Sequence, residues 1–153
     1  MDPLKILAQF EPDKSNLLPI LHALQDSHPQ NYLPEHSLKA VAKHLKVNLS
    51  WVYGVIGYYS MYSLEPRGRY IIRLCTSPVC NMVGSTDILT ALTTHLGIGA
   101  GETTGDGLFT IEESECLGIC DVAPAMMINR EIYGNLTPES IEGIITQLKA
   151  AKK

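Results

Sequence analysis

The chain has 153 residues, 45% of them hydrophobic, and 12 basic against 16 acidic side chains give it a net charge of −4. That is apolar material for one domain or two small ones, and the acidic balance argues against a nucleic-acid binder or a protein drawn to anionic membranes. No run approaches the roughly 18 apolar residues of a membrane span, so direct membrane insertion is not expected.

Up to about Leu64 the apolar spacing is helical. Ser15 is placed to cap a helix reaching about Ser27, with Pro19 near its first turn and Leu17, Leu18, Leu21 and Leu24 facing inward. Pro34 suits the first turn of a second helix, with Leu38, Val41, Ala42 and Leu45 as its buried stripe. Ser50 is placed to cap a third, "WVYGVIGYYSMYS", apolar nearly all round and without a charged residue. "EPRGR" then reads as a turn or linker. Residues 1–65 are thus expected to form a helical bundle and 66–153 a second domain.

Past the linker, strand and helix alternate. Tyr70 to Leu74 is a short β-branched run, Ser85 to Leu96 a helix closed by Gly97, and Leu108 to Glu112 a strand. The intervening "GIGAGETTGDG" follows a helix and leads into a strand, the reverse of a dinucleotide-binding loop, and reads as a flexible connector. Ala125 to Asn129 is another strand, and Arg130 to Tyr133 a hairpin return. Thr137 caps a last helix with Pro138 at its first position and Ile141, Ile144, Ile145 and Leu148 on one face. The fold class is α+β: a helical bundle followed by a small α/β sandwich.

All four cysteines fall in two tight pairs. Cys75 and Cys80 have four residues between them, Cys116 and Cys120 three, and 35 separate the pairs. The N-terminal stretch "MDPLKILAQFEPDKSNLLPI" mixes acids and prolines into its apolar residues, unlike a secretory signal. A cytoplasmic address is therefore expected, where paired cysteines more often hold metal or do redox chemistry than form disulfides. Each pair lies in a loop after an expected strand, so two neighbouring strands could deliver four thiolates to one point. Structural zinc, a 2Fe-2S cluster and disulfides all remain open on spacing. No histidine lies near either pair, which removes a centre with two histidines on one iron.

The flanking residues carry a resemblance. "CTSPVCNMVG" contributes Cys75, Cys80 and Gly84; "ECLGICDVAPAMMIN" contributes Glu115, Cys116, Leu117, Gly118, Cys120, Ala123, Pro124 and Asn129; "YGNLTPES" follows from Tyr133. With the upstream "GYYSMYSLEPRGRY", these make nearly the whole chain resemble the thioredoxin-like 2Fe-2S ferredoxins. Within that family it resembles above all the small iron-sulfur subunits of NADH:quinone oxidoreductase and of NAD-linked hydrogenases and formate dehydrogenases. Many relatives carry an arginine where this chain has Val83.

The resemblance implies a thioredoxin-like domain holding one 2Fe-2S cluster on Cys75, Cys80, Cys116 and Cys120. It further implies one-electron transfer beside a partner subunit that binds FMN and NAD(P)(H) and belongs to a hydrogenase, a formate dehydrogenase or a quinone-reductase module. The chain alone shows no complete active site and no nucleotide motif. Pro124 sits where such folds often place a cis proline. Glu112, Glu113, Glu115 and Asp121 crowd the second pair; close to a cluster they would disfavour the reduced state, and exposed to solvent they would be screened.

Two other readings compete: a zinc-stapled interaction module, and a redox-sensing helix-turn-helix protein built on "SLKAVAKHLKVNLSWVYGVIGYY". The second needs a basic recognition helix, yet Leu49 to Ser63 contains no Lys, Arg, Asp or Glu. Its aromatics, Trp51, Tyr53, Tyr58, Tyr59 and Tyr62, suit a core or a subunit interface. His22, His28, His36, His44 and His95 suit surface or packing roles.

Overall fold

A computed structural model describes residues 2–151. The chain divides into two compact units, one ending at Arg67 and the other beginning at Gly68.

The first unit is helical. Helix α1 (Pro3–Leu7) starts where the Asp2 carboxylate accepts the Leu4 N–H at 3.0 Å, with Pro3 at the first position. Helix α2 (Leu17–Ser27) follows a short 3-10 turn, Lys14–Asn16. Ser15 does not cap it. Asp13 instead caps the 3-10 turn before it, accepting the Ser15 N–H at 2.8 Å and its hydroxyl at 2.6 Å, and α2 itself starts after Asn16 without a side-chain cap bond. Pro19 then falls in the first turn of α2, where an amide hydrogen would have no helical partner.

Helix α3 (Glu35–Leu45) buries Leu38, Val41, Ala42 and Leu45 and ends on Lys46 in a left-handed conformation. Helix α4 (Leu49–Tyr58) begins after Asn48, so Ser50 lies inside it rather than at its cap, and it stops at Tyr58 instead of continuing to Ser63. The cause is tertiary. Gln25 of α2 donates to the Met61 carbonyl and accepts the Ser63 N–H, both at 2.9 Å, and the Tyr62 hydroxyl donates to the Leu18 carbonyl at 3.1 Å. Those bonds hold the tail in a non-helical course, and Gly54 and Gly57 weaken the helix that would compete. Ile20, Leu21, Leu24, Val52, Ile56 and Tyr62 complete this unit's core.

The second unit is a four-stranded sheet with helices. Strand β1 (Tyr70–Cys75) is followed by α5 (Pro78–Met82) and α6 (Ser85–Leu96), then β2 (Phe109–Ser114), β3 (Met126–Ile128), β4 (Glu131–Tyr133) and α7 (Pro138–Ala150). The strand order is β2-β1-β3-β4, with β1 parallel to β2 and antiparallel to β3, and β3 antiparallel to β4. Ile72, Leu74, Phe109, Ile111, Met126 and Ile128 alternate onto one face and meet Ile88 and Leu92 of α6 and Ile141 and Ile145 of α7. Thr137 and Ser140 cap α7 reciprocally, each side chain accepting the other's N–H.

Register places the site. Cys75 ends β1 opposite Ser114, the last residue of β2, and Leu74 pairs with Met126, the first of β3. The loops leaving β1 and β2 and the loop entering β3 therefore share one end of the sheet. The connector 97–107 is not free: Gly101 N–H donates to Ile111 O at 2.7 Å and Thr104 N–H to Phe109 O at 2.8 Å, folding it back along β2. No helix among the described residues is long and apolar enough to cross a membrane.

Candidate metal centre

The loop leaving β1 is braced by its own polar groups. Thr76 N–H continues the ladder to Ser114 O at 2.9 Å, and the buried Ser85 hydroxyl donates to Cys75 O at 2.6 Å. Asn81 Nδ2 reaches back to Thr76 O at 2.7 Å. Between these ties α5 makes one and a half turns, and Gly84 (φ 105°) allows the reversal into α6 in a region that β-carbon-bearing residues avoid. Cys75 and Cys80 are both buried, at 2% exposure.

The second pair sits in the β2–β3 loop. Gly118 adopts φ 77° between the two cysteines and turns its N–H toward the Cys116 sulfur at 3.4 Å. Cys120 opens a 3-10 turn that runs to Val122, and the Cys116 and Cys120 sulfurs stand 3.8 Å apart. Both are exposed. The peptide between Ala123 and Pro124 is cis, as the resemblance implied, and delivers Ala125 beside β1, where its carbonyl accepts the Cys75 N–H at 3.1 Å.

The electrostatics link the pairs. Burial pushes the Cys75 thiol up, but the Ser77 hydroxyl 3.1 Å away, the Ser77 and Leu117 N–H groups and the Cys80 thiol together bring it below the ordinary range. Leu117 belongs to the other cysteine loop. Cys80 is held above the ordinary range, first by burial and then by the Cys75 thiol, against one Ala125 N–H; the Cys75 and Cys120 charges add to the rise. Cys120 is raised chiefly by Cys116, with smaller contributions from burial, Cys75 and Asp121. The charge of Cys75 thus raises both Cys80 and Cys120, so the two pairs lie within electrostatic reach of one another.

Among the described residues no three His, Cys, Asp or Glu side chains converge as a ready single-ion site. The thiols stand as two pairs; the Gly118 N–H donates to the Cys116 sulfur at 3.4 Å, and the Ser77, Leu117 and Ala125 amides act on the Cys75 and Cys80 thiols to favour their charged forms. Two pairs of sulfur donors with amide hydrogens directed at them fit a two-iron cluster, whose thiolates accept such bonds. The amide donors could not be read from the chain, because each comes from a loop conformation; only the glycine between Cys116 and Cys120 hinted at one.

Not all four acids remain unpaired. Arg73 Nε bridges Glu112 across the β1–β2 ladder at 2.9 Å, while Glu113, Glu115 and Asp121 are exposed. None of the histidines joins the site: His44 meets the Phe10 carbonyl at 3.0 Å, and His22 and His28 pack on Tyr62 and Tyr32.

Comparison with known proteins agrees with this geometry. The E subunit of NADH-quinone oxidoreductase from Mycobacterium tuberculosis is 35% identical over 150 residues, which are 98% of this chain but 59% of that relative's length. An E subunit of the NADH-quinone oxidoreductase of Rhizobium meliloti is 37% identical over 95% of this chain and 86% of its own. Part of a crystal structure of an air-oxidized NAD+-reducing hydrogenase superposes with a TM-score of 0.78 at 22% identity, over 90% of this chain and 23% of that one, and so shares the fold. The family model for thioredoxin-like 2Fe-2S ferredoxins matches residues 4–149, and the chain belongs to that family.

Proposed function

We propose that this chain is the cluster-bearing, one-electron-transfer subunit of a multisubunit NAD(P)H-linked oxidoreductase, with Cys75, Cys80, Cys116 and Cys120 as ligands of one 2Fe-2S cluster. The observation that carries the reading is the meeting of the two cysteine loops at one sheet end, with amide hydrogens from both loops directed at sulfur. When bound, such a cluster supplies storage for one electron spread over iron and sulfide. The chain's own residues do the rest. Buried Cys75 and Cys80 anchor one side away from water while Cys116 and Cys120 face solvent on the other, the Ser77 hydroxyl and the amides favour added negative charge at sulfur, and Glu113, Glu115 and Asp121 oppose it.

The partner is a flavin- and NAD(P)(H)-binding subunit, as the family resemblance implies and as the NADH in the names of the NADH-quinone oxidoreductase relatives supports, and the hydride chemistry belongs there. The units divided at Arg67 and Gly68 act as an N-terminal helical domain and a thioredoxin-like domain, in a cytoplasmic complex. Helix α4 supports no nucleic-acid reading, since it offers phosphates no cation.

Iron, zinc and acid-labile sulfide per chain, measured on anaerobically purified protein with electron paramagnetic resonance after reduction, test the proposal. Two irons, two sulfides and a spin-half signal on reduction are expected. One tightly held zinc without sulfide, from iron-replete cells, would leave the cysteines as a structural staple.

A further inference from the structure

Strand β1 divides its residues between two faces. Ile72 and Leu74 enter the core with Ile111 and Met126, whereas Arg73 and Cys75 stay outside that core and, by strand alternation, share the opposite face. Their α-carbons stand roughly 6.6 Å apart at about 3.3 Å per residue. Arg73 is the only Lys or Arg from Tyr70 to Asn129, the stretch that holds both cysteine pairs. A cation is thus fixed one step down the strand from a cysteine of the candidate cluster site.

That cation is opposed. The β1–β2 register sets Arg73 directly across from Glu112 and Cys75 across from Ser114, and Arg73 Nε meets Glu112 Oε2 at 2.9 Å. Side-chain exposures of 22% and 20% leave both charges largely covered, so water and counterions screen them less than the exposed Glu113, Glu115 and Asp121. Such a pair is weak evidence for stability, because desolvation offsets most of its Coulomb gain. Its members still act on a neighbouring charge: the cation favours added negative charge nearby and the anion opposes it, over a distance comparable to the screening length of about 8 Å at physiological salt.

We infer that Arg73 and Glu112 are a balanced pair of potential-setting charges for the proposed cluster: Arg73 favours its reduced state and Glu112 cancels that influence. The inference deepens the proposed function and rests on it. Neither side chain is a ligand; both act through the field at Cys75. Each single neutralisation therefore uncovers the other charge, and the signs follow. A neutral residue at 112 leaves Arg73 unopposed and raises the potential, a neutral residue at 73 leaves Glu112 unopposed and lowers it, and neutralising both returns it toward wild type. An ion pair with a structural role alone would shift unfolding and leave the potential where it was.

The test uses the full chain, purified anaerobically and redox-titrated at about pH 8, where an unpaired carboxylate stays ionised, with electron paramagnetic resonance reading the reduced fraction. Iron and sulfide are measured first for wild type, E112Q, R73Q and R73Q/E112Q. At equal cluster content E112Q is expected to shift the equilibrium at least about three-fold toward reduction, roughly 28 mV upward, and R73Q about as far downward. The double variant is expected to lie closer to wild type than either single one. Single variants that leave the potential unchanged or move it in the same direction, or a double variant displaced further than both, would each overturn the inference. If E112Q or R73Q loses iron, Glu112→Asp decides by its sign, since its shorter side chain draws the carboxylate back from the guanidinium; a potential at or below wild type then overturns the inference. A wild type without iron and sulfide overturns instead the proposed function beneath it.

Discussion

Replacing Ser77 by alanine isolates one hydrogen bond at the candidate cluster. The Ser77 hydroxyl lies 3.1 Å from Cys75 Sγ and is the largest of the influences that lower that thiol against its burial. The Ser77 and Leu117 amides remain after the change, so the site is expected to keep its iron. A hydrogen bond to a charged group contributes about 1.5–3 kcal/mol. Sulfur carries negative charge in both oxidation states, so only about a third of that, roughly 0.5–1 kcal/mol, distinguishes them. For one electron, 59 mV corresponds to a tenfold change in equilibrium constant, which converts this range to about 20–45 mV. The sign follows from charge: the donor favours the more negative reduced state, so Ser77→Ala lowers the potential. A redox titration followed by electron paramagnetic resonance reads this directly, with Ser77→Thr expected to stay near wild type. An unchanged or raised potential at full iron content would refute the argument.

Cys116→Ser should weaken or abolish cluster binding, and full iron and sulfide in that variant would remove Cys116 from the ligand set. Gly134 faces Val122 so closely that an added β-carbon would lie 2.5 Å from the valine Cβ and 2.8 Å from its carbonyl oxygen, which also accepts the Asn135 N–H. Gly134→Ala is expected to cost about 2 kcal/mol in urea unfolding and to disturb the Cys120 turn, and Val122→Ala in the same chain should restore only a small part of the loss, because the Val122 Cβ and carbonyl remain in the way; a neutral single substitution would contradict the packing. Tyr62→Phe should cost about 1 kcal/mol by deleting the bond to Leu18 O. The Tyr62 phenol is pushed up to about 12, first by burial and then by Tyr59 and Asp26. Its folded value exceeds the unfolded value of about 10. Its contribution is therefore complete below about pH 10 and lost as pH rises through about 12, so the gap between wild type and Tyr62→Phe in denaturant midpoint should narrow across that window.

Local chemistry made much of this protein readable from its residues. The stripe Leu38, Val41, Ala42 and Leu45 has one helical solution, Gly97 ends α6 because only a left-handed residue closes that turn cheaply, and Thr137-Pro138 starts α7. Short segments were not readable. Helices α1 and α5 have five residues each, too few to declare a period, and exist because Asp2 caps one and ties through Asn81 and Ser85 hold the loop around the other. The strands differ at their ends for a related reason: β2 extends to Ser114 because β1 pairs with it that far, and β3 shrinks to Met126–Ile128 between the Pro124 turn and the Asn129 reversal.

The sequence by itself determined that four cysteines come in two loops, each after a strand, and that their neighbours match one family. Only the tertiary structure decided what separates the four sulfurs: Cys75 and Cys80 buried behind an outward apolar face, Cys116 and Cys120 in solvent, and the Leu117 amide of one loop brought near enough to favour the charged form of Cys75 on the other. Spacing along a chain can say which donors are available, but burial and amide direction arise when β1 and β2 set their register and carry two distant loops to the same end of the sheet.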